Sequence, residues 1–178
     1  MEATTAAIRE IAVPVSIFTT LRDELSKEAG PLAAIHALHH AGYEAGVTAG
    51  TTFGGTDQVG GMSQAAFWKE LGDFFSRRGW GTLAPDGEAQ SVGLLASPDW
   101  VEADPTIGDP EASCSFSTGF LSGLMCSVAG GPVAVLEVEC RSRGDARCGF
   151  AFGSEASIHS LYGQLVGGTD LDAALSAL

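Results

Sequence analysis

Apolar positions along the chain fall at helical spacing in several stretches and gather in short strand-like runs in others. In SIFTTLRDELSKEAG, Ile17, Leu21 and Leu25 share one helix face, with Ser16 as N-cap and Gly30 as the stop. Pro31 suits the first turn of the next helix, PLAAIHALHHAGYEAGVTAG, where Leu32, Ile35, Leu38 and Ala45 keep a helical spacing. Gly42, Gly46 and Gly50 recur at every fourth position there. They either form a smooth strip for close approach of another element or fray the helix at Gly46, since each glycine costs about 1 kcal/mol against alanine. Ser63 caps a third helix, QAAFWKELGDFFSRRG, with Phe67, Leu71, Phe74 and Phe75 along one side. A fourth, CSFSTGFLSGLMCSVAGG, repeats the four-residue glycine spacing at Gly119 and Gly123. SEASIHSLYGQL and TDLDAALSAL close the chain as a helix and a short helical tail.

Two segments carry strand patterns instead. GWGTLAPDGEAQSVGLLAS predicts a hairpin turning at Pro85-Asp86-Gly87, and PVAVLEVEC with RCGFAFG predicts a second one across RSRGDA. The glycine-rich connector TTFGGTDQVGGM lacks the lysine and preceding strand of a phosphate loop. PDWVEADPTIGDPEAS, acidic and punctuated by prolines, is expected to be a solvated loop. The element order predicts an α+β fold, an antiparallel sheet of about four strands packed against helices. One domain over residues 1–178 is expected, with 1–12 a loose start and 167–178 a tail.

Composition narrows the function classes. Hydrophobic residues make up 45% of the chain and charged ones 17%, a balance that supports a packed core. The net charge of −13 opposes direct binding to nucleic acid or to an anionic membrane surface. No apolar run approaches the ~20 residues of a membrane span, and the N-terminus lacks a signal-peptide pattern, so a cytoplasmic protein is expected. Cysteines in that compartment are more often thiols or metal ligands than disulfides.

Cys114 sits at the start of the fourth helix, where the dipole favours a thiolate. Cys140 and Cys148 flank the second hairpin turn and can converge, with Glu137 and Glu139 just upstream as oxygen donors. Three thiolates and a carboxylate would complete a tetrahedral zinc shell, whereas buried structural thiols fit the same spacing. In a regular strand Glu137 and Cys140 point to opposite faces, so Glu137 joins such a site only if a bulge breaks the pleat.

The stretch CSFSTGFLSGLMCSVAGGPVAVLEVECRSRGDARCGF resembles the C-terminal signature of the 4-vinyl reductase domain family. The shared pattern is a cysteine before a glycine-punctuated helix, an acidic strand ending in cysteine, and a final cysteine past a glycine turn. ALHHAGYEAG fits the family's early helix, and the resemblance spans roughly residues 16–165. It implies a TRAPP-like fold and, by analogy with the family's aromatic sensors, a zinc ion held by Cys114, Glu137, Cys140 and Cys148. It favours Glu137 over Glu139 and leaves Cys126 to the core.

The family's sensors grip a phenol-like ligand with a histidine and a tryptophan, but no histidine lies between Tyr43 and Leu136 here. Phe67, Trp68, Phe75, Trp80, Trp100 and Phe120 are the candidates to line a pocket, or simply to fill the core. His36 and His40 share a helix face without an obvious acidic partner beyond Glu44, and no nucleophile motif or dinucleotide fingerprint is present. The resulting expectation is a non-catalytic zinc-containing domain, a homodimer, that senses or carries a small hydrophobic or aromatic molecule and signals through a protein partner. The alternatives are an accessory component of tetrapyrrole vinyl reduction and a ligand-free adaptor.

Overall fold

The computed structural model describes residues 9–53, 61–89, 91–109 and 111–178. The elements in chain order are α1 (Ser16–Ala29), α2 (Pro31–Gly50), α3 (Gln64–Arg77), β1 (Ala84–Ala89), β2 (Val92–Ser97), α4 (Ser115–Ala129), β3 (Ala134–Glu139), β4 (Cys148–Gly153), α5 (Glu155–Val166) and α6 (Leu171–Ser176). The strands form one antiparallel sheet in the order β1-β2-β4-β3, so the two hairpins expected from sequence join edge to edge through β2 and β4. Most of the glycine-rich connector lies outside the described residues.

The pleat divides the sheet between two cores. Cys148, Phe150 and Phe152 of β4 face α3 and α4, together with Leu95. Ala151, Val92 and Val138 face the opposite way, onto Ile158 and Leu161 of α5 and Ala174 and Leu175 of α6. The C-terminal tail is thereby part of the second core, with Ala174 wholly buried.

α2 and α4 cross with almost no side chains between them. A Cβ at Gly42 would sit 2.1 Å from the Phe116 carbonyl oxygen, and one at Gly46 2.1 Å from that of Phe120. The relation is reciprocal, since a Cβ at Gly119 would lie 2.0 Å from the His39 oxygen and one at Gly123 2.1 Å from that of Tyr43. The glycines are therefore a packing surface, and α2 continues without fraying through Gly46 to Gly50.

Three sequence expectations need correction. Ser16 does not cap α1: the capping position falls to Val15, whose angles are already helical (φ −57°, ψ −33°), and Ile17 N–H bonds to Pro14 O. Ser63, by contrast, does cap α3, accepting from Ala66 N–H. Pro85-Asp86-Gly87 is not the hairpin turn: it lies inside β1, where a bulge between Pro85 and Gly87 absorbs the proline and Gly87 takes φ +127°. The strands reverse instead between Ala89 and Val92. The acidic loop is not simply solvated, since Trp100 and Glu102 are buried within it and Ser142 of the second hairpin accepts Asp104 N–H through Oγ and Asp109 N–H through its carbonyl.

Candidate functional site

The cysteine cluster is assembled by a bulge. Along β3, Glu137 pairs with Phe150 and Glu139 with Gly149, so Val138 is the extra residue that shifts the register. The shift puts Glu137 and Cys140 on the α4 side of the sheet, although their odd spacing would separate them in a regular strand. Glu139 is sent the other way, where its carboxylate accepts from Arg147 Nε at 2.9 Å. Past Cys140 the chain makes a single 3-10 turn, Arg141–Arg143, and Gly144 reverses it at φ +100°. Asp145 clips this knuckle shut, accepting from Cys140 N–H at 2.7 Å and from Arg143.

One ligating atom from each of Cys114, Glu137, Cys140 and Cys148 lies within 4.8 Å of all the others, and all four residues are buried or nearly so. The Cys114 and Cys148 sulfurs are 4.0 Å apart. A tetrahedral ion with bonds of about 2.3 Å to sulfur has edges of roughly 3.8 Å, so the spacing matches that coordination. Glu137 Oε2 accepts the Cys114 N–H at 2.8 Å, whereas Oε1 is buried with no hydrogen-bond partner. An orphaned carboxylate oxygen among three sulfurs is a costly arrangement unless a cation completes it. Ser113, hydrogen-bonded to Ser142, stands 3.5 Å from the Cys140 sulfur and fixes the loop that carries Cys114.

Electrostatics point the same way. Burial first, and then the Cys140 sulfur, holds the Glu137 carboxyl above the ordinary carboxylate range. Hydrogen bonds to the Cys140 and Cys148 thiols, with burial, raise Cys114. The Cys114 bond acts to lower Cys148, but the Cys140 bond and burial outweigh it and push that thiol up to about 12. Cys140 alone is lowered, since Cys114 and then Cys148 donate to it. Such a cluster cannot ionise fully by itself, and a divalent cation is what would let all four groups do so together.

A second buried carboxylate stands behind the first. Glu102 accepts from Phe116 N–H at 2.9 Å, Ser117 N–H at 2.7 Å and the Ser117 hydroxyl, satisfying the first turn of α4. Trp100 Nε1 donates to the same Ser117 oxygen at 2.7 Å. Burial outweighs these bonds and raises Glu102 to about 7.

The pocket candidates separate into distinct places. Phe75 and Trp100 are fully buried in the larger core, and Phe67 packs against it. Trp68 borders a 280 Å³ groove with Phe152 and Leu94. Trp80 and Phe120 line a larger cavity, about 810 Å³, with Phe116 beside them and Ala45 and Ala49 of α2 opposite. Its walls also include Arg77 and Arg78 and the segment 9–12. Phe116 and Arg78 were not singled out from sequence as lining residues, although the Arg77-Arg78 pair is a visible basic doublet in an acidic chain. Of the histidines, His39 borders a 610 Å³ groove with Tyr43 and Cys126, whose sulfur accepts the Val133 N–H at 3.1 Å.

The segment that builds the cysteine knuckle, residues 101–154, matches the family model of the 4-vinyl reductase domain. The chain carries a 4-vinyl reductase domain. The fold of this 4-vinyl reductase domain protein is shared with the phenol-responsive sensory domain of the transcription activator PoxR, solved with phenol. That likeness has TM-score 0.69 and 18% identity, and covers 82% of this chain and 77% of that one. A vinyl-4-reductase family protein from Methanocaldococcus jannaschii matches with TM-score 0.54 and 18% identity, covering 80% of this chain and 82% of that one. A trafficking protein particle complex subunit 3 from Naegleria fowleri, covalently bound to palmitic acid, matches with TM-score 0.56 and 14% identity, covering 78% and 91%. These likenesses establish the TRAPP-like α+β fold. No curated protein sequence matches the chain. Among the described residues, no helix is long and apolar enough to cross a membrane.

Proposed function

We propose that this 4-vinyl reductase domain is a non-catalytic small-molecule-binding sensor or carrier, held together by a structural zinc ion. The observation that carries the zinc reading is the orphaned Glu137 Oε1 among three converging cysteine sulfurs. Cys114, Glu137, Cys140 and Cys148 would fill all four positions of a tetrahedral ion, leaving none for a substrate. The ion's contribution is therefore to tie the start of α4 to the β3–β4 hairpin. The 810 Å³ cavity supports the binding reading: it lies within the usual size range of ligand pockets, and α4 forms one of its walls through Phe116 and Phe120. The fold shared with a phenol-responsive sensory domain agrees with this reading. Exposed apolar residues on the N-terminal segment and α1, Ile11, Val13, Val15 and Leu21 among them, support self-association as a homodimer. Light scattering should then return twice the chain mass of 18.2 kDa.

Elemental analysis of protein purified without added metal should find one zinc per chain. Cys148→Ala should lose the metal and several kcal/mol of stability, a melting point lower by about 10 °C or more at ~2–4 °C per kcal/mol. Metal-free protein with wild-type stability would rule the site out. A thermal-shift screen with neutral and charged aromatic and aliphatic compounds tests the cavity, because only a molecule that binds the folded state raises the melting point. A chain that none of them stabilises is an adaptor.

A further inference from the structure

The basic residues of this acidic chain are unevenly placed. Three of its nine Lys and Arg residues, Arg9, Arg77 and Arg78, border the 810 Å³ cavity. Two carboxylates, Glu10 and Glu44, share the rim, so the mouth is net positive on a protein of net charge −13. Below the rim the floor is aromatic. Trp80 stacks on Phe116 with centroids 6.0 Å apart and planes 11° from parallel, and it lies 5.8 Å from Phe120.

Arg78 is held ready for an anion. Its guanidinium carbon sits 3.8 Å from the centroid of the Phe74 ring, and Nη1 donates to Phe74 O at 3.1 Å. Nε donates to Glu10 Oε1 at 2.8 Å, across 68 residues of sequence. Nη2 has no partner among the described residues. Both side chains of the Glu10–Arg78 pair are solvent-accessible, at 52% and 32%, and ion pairs in that setting are weak. Arg77 is engaged by Glu70 and Asp73. The one uncharged polar side chain on the lining, Thr48, already spends its proton on Glu44 O at 3.0 Å. A neutral ligand would therefore meet few polar groups able to orient it, whereas an anion meets a fixed guanidinium.

We propose that the cavity takes an amphiphilic organic anion, an alkyl or aryl carboxylate. Its apolar part lies on Trp80, Phe116 and Phe120, and its carboxylate replaces that of Glu10 on Arg78. Glu10 is then an internal stand-in for the ligand headgroup, and segment 9–12 is released when the ligand enters. This rests on the reading of the cavity as the ligand site.

Calorimetric titration of the full-length protein with decanoate and with decanol separates the two claims. Decanoate should bind about tenfold tighter at low salt, the worth of a charge-assisted contact, and added salt should weaken decanoate alone. Arg78→Gln should bring decanoate to the level of decanol and leave decanol unchanged. Glu10→Gln, on an exposed segment whose loss cannot unfold the core, should tighten decanoate. Ala45→Phe, which fills the cavity, should abolish both. Equal affinity for the two probes, or no response to either Arg78→Gln or Glu10→Gln, overturns the anion proposal and leaves the cavity reading intact. Decanoate binding that survives Ala45→Phe lies elsewhere and overturns it too. If neither probe binds, both readings fail.

Discussion

Gly119→Ala should be among the most damaging single-methyl changes possible in this chain. The added Cβ would sit 2.0 Å from the His39 carbonyl oxygen, with the His39 carbonyl carbon at 2.8 Å and Tyr43 N at 2.9 Å. All three are backbone atoms of a continuous helix, so no rotamer change relieves the clash. Bringing the oxygen out to about 3 Å requires α2 and α4 to part by about 1 Å, and a gap of that size forfeits a quarter to a half of each dispersion contact across the interface. Overpacking of this kind costs ~1–3 kcal/mol, and here the loss extends along four interlocked glycines, which places it at or above the upper end, about 3 kcal/mol. Gly163→Ala is the matched control: Gly163 is exposed within α5, with nothing within 4 Å of a Cβ, so the better helix former should stabilise by ~0.5–1 kcal/mol. Urea unfolding of the two variants should therefore shift in opposite directions. If Gly119→Ala unfolds within about 0.5 kcal/mol of wild type, the contact is not rigid and the reasoning fails.

The bulge in β3 makes Glu137 and Glu139 unequal: Glu137→Gln should weaken zinc binding beyond the ~10–100-fold that an outer partner costs, while Glu139→Gln, losing only the Arg147 contact, should retain the metal, as read by competition with a chromogenic chelator. Glu102 has a folded pKa raised from 4.5 to about 7, so below pH 4.5 its proton is held in both states, and its favourable contribution is lost as pH rises through about 7. Glu102→Gln should thus gain on the wild type by about 2 kcal/mol between about pH 5.5 and 8 in chemical denaturation of zinc-loaded protein. A constant difference across that range would show that the helix terminus keeps Glu102 ionised throughout.

Local chemistry made much of the fold legible. Ser63 and Ser154 cap their helices through side-chain oxygens, and glycines at a spacing of four in α2 and α4 announced a close crossing. What escaped were features decided by distant partners. Pro85-Asp86-Gly87 has the composition of a turn, yet pairing with β2 draws it into a bulged strand. The acidic loop is polar by count, yet Trp100 and Glu102 are drawn inward by Ser117 at the start of α4. At the cysteine site, alternation argued against Glu137, and only the extra residue at Val138 resolves the conflict. The arginine-rimmed cavity joins residues from segment 9–12, α2, α3 and α4, an assembly that no local pattern encodes.

The glycine contact between α2 and α4 also decides which walls of the cavity are able to yield. Ala45 and Ala49 come from one of these helices and Phe116 and Phe120 from the other, so much of the lining belongs to a single stiff unit whose width cannot be adjusted. Any accommodation to a longer or bulkier guest must come from the opposite side, where α3 ends at Arg77 and segment 9–12 is fastened by one accessible ion pair. Ligand length would then be gauged against a fixed aromatic ruler and reported by the position of the N-terminal segment, which makes that segment the place where occupancy becomes visible to a neighbour.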